Sequence, residues 1–349
     1  MPTLETPIPP AVALRRIAFL LERALEPTYR VRAFRTAAAV VDVLGPEQTQ
    51  ARAAAGTLTE VKGIGDKTAA VIVEALAGEV PGYLTKLEET HGSPLATGGE
   101  ELFAALRGDL HTHSEWSDGG SPIREMAVAA RALGHDYIAL TDHSPRLTVA
   151  RGLSAERLRE QLDVVREVNE ELAPFRLLTG IEVDINEDGT LDQEPELLDQ
   201  LDVVVASVHS ALRAPAAEMT PRMLTAIADP HVDVLGHCTG RNVNSLGRGG
   251  RVRPESQFDA EAVFTACRDN GVAVEINSRP ERSDPPGDLM ELALEIGCIF
   301  SIDTDAHAPG QLEFQAYGCA RAVEHGVPAN RVVNALLVDD LLAWAGRAS

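Results

Sequence analysis

The sequence predicts an α/β chain in which an irregular barrel of seven β-strands alternating with helices follows a small all-α domain. Three observations carry this reading. Seven short runs of Val, Ile, Leu and Ala recur between residues 109 and 302, most of them separated by helical stretches, which is the alternation of a parallel sheet with its helices outside. Most of these runs lead directly into a histidine or a carboxylate. The first 90 residues, in contrast, show helical periodicity and a glycine turn. Seven strands give an irregular barrel instead of the common eight-stranded one.

Length and composition set the outer limits. A chain of 349 residues accommodates one barrel and a small accessory domain. There is no apolar run of membrane-spanning length, and MPTLETPIPP at the N-terminus lacks the basic start and apolar core of a signal peptide. A cytoplasmic protein with no membrane partner is therefore expected. Cys238, Cys267, Cys298 and Cys319 form no CxxC pair, so buried thiols fit better than a disulfide framework or a zinc ribbon. The net charge of −22 weighs at first against a nucleic-acid partner, because phosphate backbones call for basic surface. The excess acid is uneven, however: residues 1–95 hold ten Lys and Arg against eleven Asp and Glu, and residues 96–349 hold 21 against 42. All three lysines, Lys62, Lys67 and Lys86, lie in the first part.

Taken in order, the all-α domain occupies residues 1–90. Leu14, Ile17, Ala18, Leu21 and Leu25 share one face of a helix expected over Ala11–Leu25. A basic, aromatic-containing segment, Pro27–Arg35, leads into a second helix over Val31–Leu44. Next come a short helix, a tight turn at Lys62-Gly63-Ile64-Gly65, and a helix from Asp66 to Leu76. Gly63 and Gly65 permit backbone angles closed to other residues, and the first amides of the following helix are unpaired. With Lys62 and Lys67 they form a site for a phosphate oxygen. A plain helical corner would need the glycines alone; Ile64 between them and the flanking lysines favour phosphate binding, which would be independent of base sequence. A linker follows over residues 91–104, flexible through HGSPLATGGE.

The barrel occupies residues 105–349. Its strands are expected near Asp109–His111, Tyr137–Leu140, Leu177–Ile181, Val203–Ser207, Val232–Leu235, Val272–Ile276 and Ile299–Ile302. Helices are expected over Pro122–Leu133, Ala155–Leu172, Asp259–Asn270, Leu289–Ile296 and Leu312–His325. A last helix near Asn330–Trp344 would pack against the outside or serve a partner.

The candidate site is organised around Asp109-Leu110-His111-Thr112-His113. An isolated HxH is a weak signal, but Asp118, His143, Glu182, His209, His237, Asp305 and His307 follow the later runs. Side chains at strand C-terminal ends gather on one rim, where barrel enzymes keep their chemistry. Six histidines and three carboxylates there would be poorly tolerated as unpaired buried polar groups, and divalent cations would satisfy them. Mixed imidazole and carboxylate ligation suits manganese, zinc or iron. Metals about 3.5–4 Å apart lower the pKa of a shared water and hold phosphate oxygens for in-line displacement. The charge that develops on phosphorus needs cations, and without lysine in the barrel arginine must supply them. Arg241, four residues beyond His237, ranks first, followed by Arg279 and Arg282. Arg248, Arg251 and Arg253 add a basic rim that could hold a longer polynucleotide or simply face water. Trp116 is a candidate to stack on a base or to cover the metals. Asp142 and Asp184 are expected to orient imidazoles. His91, His135, His231 and His325 are expected to face solvent or cap turns.

The stretches YRVRAFRTAA and LTEVKGIGDKTAAVI resemble a helix-hairpin-helix motif, and more closely the N-terminal DNA-binding domain of bacterial family X DNA polymerases. GDLHTHSEWSDG, YIALTDHS, GIEVDI, LDVVVASVHS, VDVLGHCTGR, VEINSRP and IDTDAH resemble the polymerase-and-histidinol-phosphatase (PHP) superfamily, and specifically the C-terminal phosphoesterase domain of the same polymerases. The resemblance implies a PHP barrel with three metal ions. His111, His113, Glu182 and Asp305 would hold the first. Glu182 would bridge to a second held by His209 and His237, and Asp118, His143 and His307 would hold the third. About thirty residues separate the hairpin domain from the first strand, which leaves no room for a nucleotidyl-transfer core.

These readings together imply a metal-dependent phosphoesterase acting on DNA ends, as a 3′→5′ exonuclease or a 3′-phosphatase or phosphodiesterase, with DNA held through its backbone phosphates. A separate polymerase or repair protein is the further partner suggested by the absent core. The alternative is a small-molecule phosphomonoesterase of the histidinol-phosphatase type.

Overall fold

A computed structural model describes residues 7–244 and 252–346. The chain divides into two compact units, Met1–Pro94 with Pro309–Gln311, and Leu95–Ala308 with Leu312–Ser349.

The first unit is built from four helices. Helix α1 (Pro10–Arg23) starts with proline in its first turn, where the missing N–H costs nothing, and buries Ala13, Leu14, Ile17, Ala18 and Leu21. Helix α2 (Thr28–Ala55) runs well past the expected end at Leu44. Gly45 takes φ +72°, and Pro46, whose φ is preset for a first turn, restarts the helix after the kink. Helix α3 (Asp66–Leu76) matches its expected bounds, and α4 (Gly82–His91) was not foreseen. Between α2 and α3, Gly63 has φ +101°, and a Cβ there would lie 2.9 Å from Thr36 Cγ2. Conformation and close approach both demand glycine. Ile64 is buried in one cluster with Leu58, Val71 and Ile72.

The second unit is a nearly closed barrel of seven parallel strands in sequential order: β1 (Gly108–Thr112), β2 (Tyr137–Leu140), β3 (Arg176–Asp184), β4 (Val203–Ser207), β5 (Val234–Leu235), β6 (Ala273–Asn277) and β7 (Phe300–Asp303). Every adjacent pair from β1 to β7 is parallel, as in Gly180↔Val203 and Val274↔Phe300. Around them run α5 (Glu100–Ala105), α6 (Ile123–Leu133), α7 (Ala155–Leu172), α8 (Pro195–Leu198), α9 (Ala216–Ile227), α10 (Ala260–Asn270), α11 (Gly287–Ile296) and α12 (Gln315–Glu324). Helices α5, α8 and α9 were not foreseen, and α5 occupies part of the stretch read as a flexible linker. Its short apolar face, Leu102 and Phe103, acquires a burial partner only in the fold.

Among the described residues, the seam between β1 and β7 carries a single bridge, Thr112↔Ala306. Side chains close the rest. Asp303 Oδ1 accepts from the Leu110 amide at 2.8 Å, and Asp109 accepts from Thr304. Asn334 accepts from the Ile302 amide at 2.7 Å and donates to the Gly108 carbonyl at 3.2 Å. Gln315 donates to the same two strands, at Gly108 O and Ile302 O. These groups are buried, so leaving any of them unpaired would cost about 1–3 kcal/mol.

The C-terminal segment corrects the expectation of a single helix over 330–344. It forms two short 3₁₀ turns and then α13 (Val338–Trp344). Leu341 and Val333 join Leu110, Tyr137, Leu178, Val203, Val234 and Ala273 in one buried cluster. Because these are inward-facing residues from the early part of the strands, the segment plugs the barrel's N-terminal end and does not lie on its outside.

His135 was expected at a solvent-facing turn, yet it is 8% exposed. Burial pushes its pKa from 6.5 down to about 4, against the opposing Asp136 carboxylate. A histidine whose folded pKa is depressed contributes stability above its unfolded pKa, and that contribution is lost as pH falls. The loss attributable to His135 between pH 6.5 and about 4 is on the order of 3 kcal/mol. Thermal unfolding of wild type and His135→Gln across this window should therefore show wild type losing stability relative to the variant as pH falls. Parallel curves would show that this ring carries no such linkage.

Candidate metal centre

The ends of six strands supply the site. His111 lies within β1, with His113 just beyond it and Asp118 on the loop that follows. His143 follows β2, Glu182 lies near the end of β3, His209 follows β4 and His237 follows β5. Asp305 and His307 come directly after β7. The register of β1 is irregular between Asp109 and Thr112, which breaks strict alternation, so Leu110 joins the inward apolar cluster and the next residue, His111, still reaches the site.

All nine converge. The Glu182 carboxylate is the hub: Oε2 lies 2.8 Å from His143 Nδ1, 3.3 Å from His111 Nε2 and 3.5 Å from His113 Nε2. Its Oε1 lies 2.9 Å from His237 Nε2 and 3.3 Å from His209 Nε2. Asp305 Oδ1 is 3.4 Å from His113 Nε2. Asp118 Oδ1 is 3.2 Å from His307 Nε2 and 3.6 Å from His143 Nε2. Three groups have ligand atoms close enough to share one ion each: His113, Asp118, His143 and His307; His111, His113 and Glu182; and His143, Glu182 and His209. Seven of the nine fall in these groups, with His113 and His143 each in two of them; Asp305 and His237, which the resemblance assigns to the first and second sets, fall in none.

The donor set fits divalent cations. Buried ring nitrogens His111 Nε2, His113 Nε2, His143 Nδ1 and His209 Nε2 have no hydrogen-bond partner among the described residues. A buried lone pair without a partner is costly unless a ligand meets it. Imidazole with carboxylate and no thiolate suits manganese, iron or catalytic zinc. Two of the nine, His237 and Asp305, also hold positive φ, +20° and +51°, a conformation that persists only where the surroundings enforce it.

Charge is distributed unevenly. Burial opposes ionisation of Glu182, but His143, His111 and His209 outweigh it and hold the carboxyl well below the usual range. Burial opposes the Asp305 charge too, and Arg282 and His113 overcome it. His113, buried between His307 and His143, is driven down to about 3, so its lone pair is free of a proton at neutral pH. His209 moves the other way, to about 9, because Glu182 and Asp184 outweigh its burial.

The surrounding residues divide by what they touch. Asp184 Oδ1 lies 2.5 Å from His209 Nδ1, an imidazole-orienting contact of the kind expected of it. Asp142 touches no imidazole. It accepts from the Ser114 amide and hydroxyl, Ser117 Oγ and Gln161 Nε2, and so fixes the loop that carries Asp118. Arg241, ranked first among the arginines, has its guanidinium engaged by the Arg282 and Ser283 carbonyls and Glu255. Arg279 grips Glu281 and the Asp305 carbonyl. Arg279 and Arg282 both reach the site, Arg279 with Nη1 at 3.1 Å from His307 Nδ1 and Arg282 with Nε at 3.1 Å from Asp305 Oδ2. The loop between His237 and Arg241 turns at Gly240, φ +58°. Arg253 donates to the Gly240 carbonyl; Arg248 and Arg251 lie outside the described residues. Trp116 is packed, half-buried, against the hydrophobic core.

Sequence reasoning missed Glu275. It is fully buried on β6, with Oε1 2.6 Å from His111 Nδ1, and a carboxylate inside the otherwise uncharged strand Ala-Val-Glu-Ile-Asn was the available signal. Of the other histidines, His231 contacts Asp229 and Asp199 and His325 contacts Glu291, away from the nine. In the N-terminal unit, Lys62 and Lys67 are exposed. The Ile64 amide donates to the Val61 carbonyl and the Gly65 amide to Thr68 Oγ1, so the turn itself engages both.

Comparison with known proteins agrees with this layout. Residues 109–279 match the family described as PHP domain, and residues 10–80 match the family described as helix-hairpin-helix domain. The chain is 38% identical over 242 residues to the DNA polymerase/3'-5' exonuclease PolX of Bacillus subtilis. That match takes in 69% of this chain and 41% of the Bacillus protein, less than half its length. A probable phosphatase of Thermoanaerobacter sp. is 30% identical over 57% of this chain and 78% of its own. For a probable phosphatase of Vibrio parahaemolyticus the figures are 30%, 64% and 88%. Among solved structures, histidinol phosphate phosphatase from Lactococcus lactis aligns with TM-score 0.48 at 18% identity, covering 64% of this chain and 95% of that one.

Proposed function

The chain belongs to the PHP-domain family of metal-dependent phosphoesterases, and from that premise we propose that its substrate is a DNA end, hydrolysed by 3′→5′ exonuclease or 3′-phosphatase or phosphodiesterase action. The observation that carries the choice of DNA is the helix-hairpin-helix domain in the same chain, because a phosphate-gripping hairpin has little purpose for a free metabolite. The Bacillus relative's name includes a 3'-5' exonuclease activity, which supports the same direction.

Three divalent ions, manganese, zinc or iron, would be held by His111, His113, Glu182 and Asp305; by Glu182, His209 and His237; and by Asp118, His143 and His307. When bound, such ions supply Lewis acidity and activate water for attack on phosphorus. Arg282 engages Asp305 through Nε, and its two Nη groups carry no hydrogen bond among the described residues. They would clamp two oxygens of the scissile phosphate, as the guanidinium fork suits. Arg279 holds the Asp305 carbonyl and so steadies the ligand. In the hairpin, Lys62, Lys67 and the first-turn amides of α3 would meet backbone phosphates, with Gly63 and Gly65 shaping the turn and Ile64 anchoring it.

The probable phosphatases among the relatives favour a second reading, a small phosphomonoester such as histidinol phosphate. One experiment separates the two. Metal-reconstituted protein is given a 3′-end-labelled recessed or gapped DNA and, in parallel, histidinol phosphate, each with manganese, with zinc and with chelator. Asp305→Ala controls for contaminating nuclease. Chelator-sensitive trimming of DNA that the variant lacks is expected; turnover of the small ester alone would sink the DNA reading.

A further inference from the structure

β6 contributes none of the nine metal-site residues, yet its inward-facing side chains touch three of them. Val274 and Ile276 face the outer core, and Ala273 faces the barrel interior. By the alternation of a strand, Glu275 and Asn277 then stand above Ala273 on the inner face, and both are fully buried. Glu275 Oε1 lies 2.6 Å from His111 Nδ1. Its Oε2 accepts from the His237 backbone amide at 2.5 Å and from Asn277 Nδ2 at 3.2 Å. Asn277 Nδ2 reaches Asp305 Oδ2, also at 3.2 Å. Three strand ends, those of β1, β5 and β7, are thus tied to one pair of side chains.

Each tie acts on a different property of the ligand. A carboxylate at His111 Nδ1 places the ring proton there and leaves Nε2 as the electron pair aimed at the site. That nitrogen is the buried one without a partner, 3.3 Å from Glu182. At His237 the tie is to the backbone, which sits at φ +20°, so the hydrogen bond helps hold a conformation the residue would otherwise leave. Asp305 is likewise at positive φ, +51°, and its second oxygen is the one that Asn277 and Arg282 share. The two metal-site residues of unusual backbone are therefore both among the three tethered through β6.

We propose that Glu275, together with Asn277, is a positioning pair that binds no metal itself and holds His111, His237 and Asp305 in ligating geometry. It rests on the metal-centre reading above. Glu275→Gln is the discriminating variant because it keeps the volume but cannot keep both contacts. If its oxygen accepts from His111, its NH₂ faces the His237 N–H, donor against donor.

The experiment is equilibrium metal titration of wild type and Glu275→Gln against a competing chelator, with manganese and with zinc. Bound metal is counted by mass spectrometry, and melting of the metal-free proteins is followed alongside. The expected result is metal affinity weakened about 10–100-fold, with metal-free melting little changed and activity recovered by excess metal. Wild-type affinity in the variant would overturn the proposal. If Glu275→Gln fails to fold, Asn277→Ser tests the Asp305 tether in the same titration, and wild-type affinity there would overturn it too. Failure of wild type itself to bind metal would instead overturn the metal-centre reading, so the two failures are distinct.

Discussion

Glu182→Gln is expected to lower hydrolysis on the order of 10³-fold or more and to strip bound metal from the protein. Glu182 is the only side chain of the nine that lies within 3.5 Å of five imidazoles, those of His111, His113, His143, His209 and His237. An amide in its place fills the same volume, but turns an NH₂ toward nitrogens whose lone pairs are needed for cations. The site would lose one bridging oxygen and gain a donor that no metal accepts. Metal ions supply several kcal/mol of charge stabilisation to phosphoryl transfer, and each 1.36 kcal/mol is a decade in rate. The check is kcat/KM beside metal content on the same preparations. A variant that keeps its metals and a tenth of the rate would remove Glu182 from the bridging role.

Arg282→Ala should cost about 10²–10³-fold in kcat, the scale for deleting one preorganised group that stabilises transition-state charge, while metal content stays near wild type. The reason is position. Arg282 is half-buried next to the metal-site carboxylates, and Asp305 and Glu182 hold its guanidinium charged against the cost of desolvation. Arg241, by contrast, is anchored by two backbone carbonyls and Glu255, so Arg241→Ala should act chiefly on the loop it supports. Arg282→Lys keeps the charge but not the fork and should fall between wild type and alanine. If metal content falls in step with activity in Arg282→Ala, the residue acts by holding Asp305 and not by touching phosphate.

The mismatches between sequence and structure have a common cause. Helix α2 overran its expected end because a glycine at positive φ and a following proline can join two helical stretches as readily as end one. Helices α8 and α9 and the plugging role of Leu341 went unseen because each depends on what the segment packs against. Asp142 and Glu275 show the same limit within the site. Both are carboxylates near histidines in sequence or in strand order, and only one of them touches a ring.

What the sequence determined by itself was whatever is periodic or local. The alternation of apolar runs with helices set the seven-stranded barrel, and a histidine or carboxylate placed after a strand must emerge on the rim, since parallel strands all end on one side. The nine converging residues were legible for that reason. The tertiary structure alone decided what each arginine touches, which buried carboxylates orient the imidazoles of the site, and that β6 is tied to three strand ends. Those outcomes depend on loop paths and on neighbours hundreds of residues away, such as Asp109 with Thr304. No local spacing encodes them; close packing in three dimensions does.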